Sequence, residues 1–217
     1  MKLIDQTLQS LTKYLAAQIS TIVPDGRIDI CEKSIAAHIE EALARTQHCI
    51  DGVKMWRPGE FNYLHSSQYC IFLYYLANTI WKNSGDTGVP TRLFLLNKAL
   101  NGIDLFYEIE MPKIFFIGHS VGIVLAKATY GEHLVLYQNS TVGKSGGDAP
   151  VIGERVIVHP NCAVIGRSQI ADGTILSQGT SVINRETKEN MIAYGAANGS
   201  LTFKKPQRHI IEDFFRL

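Results

Sequence analysis

The chain has 217 residues, with 21 Lys and Arg against 20 Asp and Glu, for a formal net charge of +1. With 46% hydrophobic and 19% charged residues it can bury a core, which excludes an intrinsically disordered chain; the balanced charge excludes a dedicated nucleic-acid binder. Eighteen glycines stand beside seven prolines, so tight corners are expected wherever the glycines fall at regular spacing.

The opening stretch MKLIDQTLQSLTKYL has no apolar run of signal-peptide length. The richest apolar stretch, Tyr69 to Ala77, spans nine residues, too few to cross a bilayer. Cys31, Cys49, Cys70 and Cys162 are scattered, with no CxxC pair and no zinc-like Cys/His spacing. Reduced thiols and a cytoplasmic location are expected, and no metal.

In chain order, Ile4, Leu8, Leu11, Leu15, Ile19 and Ile22 recur at steps of three and four, one face of an amphipathic helix that Pro24-Asp25-Gly26 ends. A second helix is predicted from a cap at Ser34 through Ile35, Ile39, Leu43 and Ile50, and Trp56-Arg57-Pro58-Gly59 breaks the chain again. A third, Tyr63 to Trp81, is apolar nearly all round and should be the most buried. After Asn83-Ser84-Gly85-Asp86 a short helix from Thr91 to about Leu100 closes a helical domain or oligomerisation unit over residues 1–100.

Beyond residue 150 the period changes. Ile152, Val158, Val164, Ile170, Leu176 and Val182 stand six apart, and the position four further on is small or β-branched: Val156, Cys162, Ser168, Thr174, Thr180. Neither a helix nor a simple strand repeats at six; a parallel β-helix does, with one short strand and a corner per hexapeptide and about 18 residues per coil. Residues 101–200 are therefore assigned to a β-helix. Its first coils, from 102 to 138, keep the repeat only loosely through Ile103, Ile109 and Phe115. Asn139 to Asp148 is polar, glycine-rich and out of phase, so it is expected to loop out of the solenoid, and residues 201–217 form a tail in which Ile211, Phe214 and Phe215 pack against a neighbour.

Four chemistries compete. Gly118-His119-Ser120-Val121-Gly122 matches a G-x-S-x-G nucleophile elbow, with Asp148 or Asp172 and His159 or His209 completing an α/β-hydrolase triad; the elbow needs βαβ units before it, and residues 1–100 read as helices. Gly143-Lys144-Ser145 fails as a P-loop because Gln138 stands where a glycine is required. A metal centre would need clustered histidines, and His119, His133 and His159 are far apart in sequence. The fourth places His119 as a general base, with Asp104, fifteen residues earlier and so near one coil away, holding one imidazole nitrogen.

Residues 102 to about 205 resemble the serine acetyltransferase branch of the hexapeptide-repeat, left-handed β-helix acyltransferases. Gly102-Ile103-Asp104 stands where that family has G-[VI]-D, and Gly118 to Gly122 where it has D-H-x-T-G. Thr141-Val142-Gly143 and Lys144-Ser145-Gly146-Gly147-Asp148 match T-L-G-G-T-G-K-x-G-G-D with a small deletion. The resemblance implies a homotrimer or a dimer of trimers, with acetyl-CoA lying in a groove between solenoids. It implies His119 as the base that deprotonates the acceptor hydroxyl and Asp104 as its partner. Gly143 and Lys144 in the loop, and Lys204 and Lys205 near the solenoid's end, are the candidate donor-binding residues.

The departures are specific. The family's loop continues G-G-D-R-H-P, and here Asp148 is followed by Ala149 and Pro150; the aspartate before the histidine is Gly118. These losses point to a sugar or nucleotide-linked sugar as acceptor in polysaccharide biosynthesis. Serine, as in cysteine biosynthesis, is the alternative acceptor, and a non-catalytic β-helical scaffold the alternative of another class.

Overall fold

A computed structural model describes residues 1–196 and 198–217. Four helices precede a parallel β-solenoid: α1 (Leu8–Ile22), α2 (Ile28–Gly52), α3 (Ser66–Ser84) and α4 (Gly88–Asn101). None is long and apolar enough to cross a membrane.

Helix α1 begins four residues after Ile4 because Thr7 and Ser10 form a capping box: the Thr7 hydroxyl accepts from the Ser10 amide at 3.1 Å, and the Ser10 hydroxyl accepts from the Thr7 amide at 2.8 Å. The residues ahead of it extend instead, Lys2–Leu3 pairing with Glu60–Phe61. Helix α2 starts at Ile28, so Ser34 is not its cap; Cys31 carries the buried Ile35–Ile39 face one turn further back, and the Ser34 carbonyl accepts from His38 Nδ1 at 2.8 Å. Helix α3 is the most buried, every residue from Ser67 to Ile80 being packed. Its polar groups meet the first coil: Tyr74 donates to the Ile109 carbonyl at 2.5 Å, and Asn78 to the Tyr107 carbonyl at 2.7 Å. Helical domain and solenoid thus share one core.

Among the described residues the solenoid has three walls of stacked strands, with six, five and three members. In the five-stranded wall Leu105, Leu125, Val142, Val164 and Val182 lie in register and point inward. In the six-stranded wall Ile117, Leu136, Val158, Leu176 and Ala193 do the same. The six aliphatic residues of the clean repeat and the small residues that follow them are all buried, so each hexapeptide contributes one plug and one corner.

The excursion is shorter than the sequence suggests. Thr141–Gly143 is a strand of the five-stranded wall, with Val142 fully buried and Ser140 in the small-residue position, so the departure begins only at Lys144. Val142 pairs with Val164, twenty-two residues on, whereas Val164 pairs with Val182, eighteen on. Four residues are therefore inserted into an otherwise regular coil. Ser145 and Asp148 exchange two 3.0 Å backbone hydrogen bonds across Gly146 and Gly147, whose φ values of 61° and 92° suit a tight hairpin turn.

Leu201–Lys204 turns back antiparallel on Ile192–Gly195 and extends the six-stranded wall, so the tail begins after Lys204. It then climbs the outer face of that wall, where Phe116, Val135, Ile157, Ile175 and Ile192 form an outward apolar column. Ile211, Phe214 and Phe215 pack against the chain's own core rather than a neighbour's. The tail ends on the helical domain: Phe215 bridges Val53, and the Arg216 guanidinium donates to the carbonyls of Asp51, Val53, Lys54 and Trp56 at 2.5–3.1 Å.

Candidate active site

The chain leaves the six-stranded wall at Ile117, turns through Gly118 to Gly122, and enters the five-stranded wall at Val124. Two hydrogen bonds fix this corner to the end of α4: the Gly122 amide donates to the Gly102 carbonyl at 2.9 Å, and the Ser120 hydroxyl to the Asn101 carbonyl at 2.7 Å. Gly102, at φ 63°, caps α4 and lies against Val121. His119 is exposed on this corner, as are Val121 and Gly122, while Ser120 is only 8% accessible. A nucleophile elbow requires a strand, a sharp turn presenting the serine, and a helix; here a strand follows and the serine faces inward. The hydrolase reading of Ser120 is corrected on that geometry.

Asp104 opens the first strand of the five-stranded wall, opposite Val124, so its backbone is two residues past the glycine that supports the His119 corner. Its carboxylate accepts from Lys98 Nζ at 2.6 Å, and among the described residues no hydrogen bond joins it to His119. Lys98 lies in the last turn of α4, and nothing in the hexapeptide pattern pointed to it.

The proposed donor-binding residues stand in two places. Gly143 ends its strand against Ile165, where a Cβ would come within 2.8 Å of the Ile165 Cδ1, and Lys144 is exposed on the inserted hairpin. Lys204 ends the antiparallel strand. Lys205 lines a groove of about 500 Å³ with Arg155, Arg208 and Ile157, and neither Lys144 nor Lys204 reaches it.

The sequence reading missed the aromatic residues beside His119. Tyr137 and His159 follow the next two strands of the six-stranded wall, below Gly118. Their rings stack at 5.7 Å and 13°, the Tyr137 ring lies 6.4 Å from that of His119, and Phe214 of the tail meets Tyr137 edge-on at 6.4 Å. A Cβ at residue 118 would stand 2.5 Å from Tyr137 Cε1, so the tyrosine occupies the space of any side chain there. Burial pushes the Tyr137 phenol up and holds the His159 imidazole below its ordinary range.

A helical domain in front of a β-solenoid is a fold this chain shares with solved acetyltransferase structures. Solved structures of serine acetyltransferases are similar to it. That of Brucella abortus strain S19 matches with a TM-score of 0.72 at 16% identity, over 94% of this chain and 86% of that one. A structure of the Brucella abortus enzyme in complex with coenzyme A matches at 0.69 and 15%, over 94% and 84%. Soybean serine acetyltransferase complexed with serine matches at 0.68 and 16%, over 93% and 85%. No family model matches the sequence, and no curated protein matches it. At these identities the likeness establishes the fold.

Proposed function

We propose that the chain is an acetyl-CoA-dependent O-acetyltransferase with His119 as its general base. The observation that carries this reading is the exposed imidazole on a corner fixed by Ser120–Asn101 and Gly122–Gly102. A rigidly held, solvent-facing imidazole can take a proton without reorganising its support. His119 removes the proton of the acceptor hydroxyl as the oxygen attacks the thioester carbonyl. The carbon–sulfur bond then breaks, the imidazolium returns the proton to the sulfur, and acetyl ester and free coenzyme A leave. Asp104 stabilises the imidazolium after exchanging its Lys98 partner.

The donor is assigned to Gly143, Lys144, Lys204 and Lys205 acting across neighbouring solenoids of a homotrimer or a dimer of trimers. Lys144 does not line the groove that Lys205 lines, and an intersubunit groove is where both can serve one ligand. Leu100, Val121 and Val124, 48%, 65% and 44% exposed, flank Gly102 and Asp104 and offer an apolar contact for that assembly.

Serine is the acceptor favoured by the structural neighbours, one of which holds it. A second reading, a sugar or nucleotide-linked sugar, has a specific observation behind it: Tyr137 fills the space beside Gly118, and no Arg-His pair follows Asp148. Thiol release from acetyl-CoA, measured with L-serine and a panel of nucleotide sugars, tests both. No release with any acceptor would favour the non-catalytic scaffold.

A further inference from the structure

The six-stranded wall carries one outward column immediately after its strands: Gly118, Tyr137 and His159 in the first, second and third coils. The column ends at the catalytic corner, because His119 is the next residue after Gly118. Its chemistry differs from that of an amino-acid site. An amino acid presents an ammonium and a carboxylate within two bonds of its hydroxyl-bearing carbon, and each needs a counter-charge once water is displaced. This column offers a glycine, a phenol and an imidazole kept neutral by burial, with Phe214 behind them. Asp104, the carboxylate assigned to His119, is held by Lys98.

The packing makes residue 118 dependent on residue 137. With Tyr137 in place, a Cβ at position 118 would stand 2.5 Å from its ring, so a side chain there requires the ring to shift. Both rings are half-buried, and the Tyr137 ring lies 6.4 Å from that of His119, tilted at 54° to it. A polyhydroxylated ring carries hydroxyls without formal charge and so asks no counter-charge of this column.

We propose that Tyr137 is the specificity-determining residue on the acceptor side of His119, excluding amino acids and selecting a sugar hydroxyl. This rests on the second, sugar-acceptor reading of the O-acetyl transfer and deepens it. The test measures thiol release by the full chain with acetyl-CoA, using L-serine and UDP-hexoses as acceptors. Tyr137→Phe should keep the wild-type acceptor ratio. Tyr137→Ala should raise KM for the sugar by about tenfold or more, leaving KM for acetyl-CoA unchanged. The pair Gly118→Asp/Tyr137→Ala should gain about tenfold or more in kcat/KM on serine, since removing the ring opens room for the carboxylate. If Tyr137→Ala does not fold, Tyr137→Leu carries the same expectation on the serine-to-sugar ratio.

The inference is overturned if the wild type prefers serine to every sugar, or if Tyr137→Ala lowers kcat alike for both acceptors with neither KM moved. Loss of the transferase reading is recognised separately: coenzyme A binds, yet neither wild type nor any variant releases thiol, and the specificity role falls with it.

Discussion

The Ser120 hydroxyl donates to the carbonyl of Asn101, the last residue of α4, at 2.7 Å. The serine in the G-x-S-x-G match is therefore a rivet between helical domain and solenoid, and its neighbour His119 is left facing solvent. Ser120→Ala should cost about 1 kcal/mol of stability by orphaning a buried carbonyl, with little effect on turnover. His119→Ala should lower kcat by about 10²–10⁴-fold with the fold retained. Thermal melts beside thiol-release kinetics separate the two; the reverse pattern would restore the serine as nucleophile.

The inserted hairpin is separable from the scaffold. Deleting Lys144 to Gly147 brings Ile152 to six residues after Val142 and returns the coil to eighteen. The shortened chain should fold with a circular dichroism spectrum like the parent's and lose acetyl transfer. If it remains as active as the parent, the hairpin has no part in the site.

Coil stacking leaves no room at Gly131. A Cβ there would fall on the backbone of Gly153 in the next coil, a part of the chain that cannot rotate aside. Gly131→Ala should destabilise by about 1–3 kcal/mol, within the range for overpacking. Urea titration reads it directly, and an unchanged midpoint would mean the coils can separate without penalty.

Burial keeps the His159 imidazole below its ordinary range, so the folded protein binds fewer protons there than the unfolded chain. Its contribution to stability is fully present above the unfolded value of about 6.5 and is lost as pH falls through it toward the lowered native value. Melting temperature should drop between about pH 7 and pH 5 more steeply in the wild type than in His159→Phe, which keeps a ring against Tyr137 but cannot titrate. Parallel slopes in the two proteins would rule His159 out as the source.

The Arg216 guanidinium serves four carbonyls of the 51–56 segment. Arg216→Ala should therefore cost about 1–3 kcal/mol, allowing for its exposure. Phe215→Ala, at 2% accessibility, should cost about 3–5 kcal/mol. Denaturant unfolding measures both, and wild-type stability in Phe215→Ala would show the tail to be dispensable.

The strict six-residue spacing from Ile152 to Val182 made the solenoid legible, because no other backbone returns an aliphatic residue inward at that interval. The corners were less legible. Glycine was expected there, yet Asn139, Asn161, Asn184 and Asn190 take the same left-handed turn, with φ between 51° and 62°. The start of α2 was misplaced because Ser34 has the chemistry of a cap while Cys31 and Ile35 continue the buried face through it. Tyr137 carried no signal at all: its meaning lies in the missing Cβ at residue 118, nineteen positions away in sequence and adjacent only after coiling. The destination of the tail was readable in retrospect, since the outward positions Phe116, Val135, Ile157 and Ile175 are all apolar and such a face requires a cover.

A stack of repeats ordinarily has two loose ends, and it can lose coils one at a time from either. Here one continuous segment links the two ends, since the strand Leu201–Lys204 pairs along the edge of the last coil and the residues after it return to the helices that cover the first. Peeling away the final coil therefore first requires releasing Phe215 and Arg216 at the opposite pole. The linear array becomes a mechanical loop that should unfold in a single step, so the proposed active-site corner keeps its geometry up to the point at which the whole chain gives way.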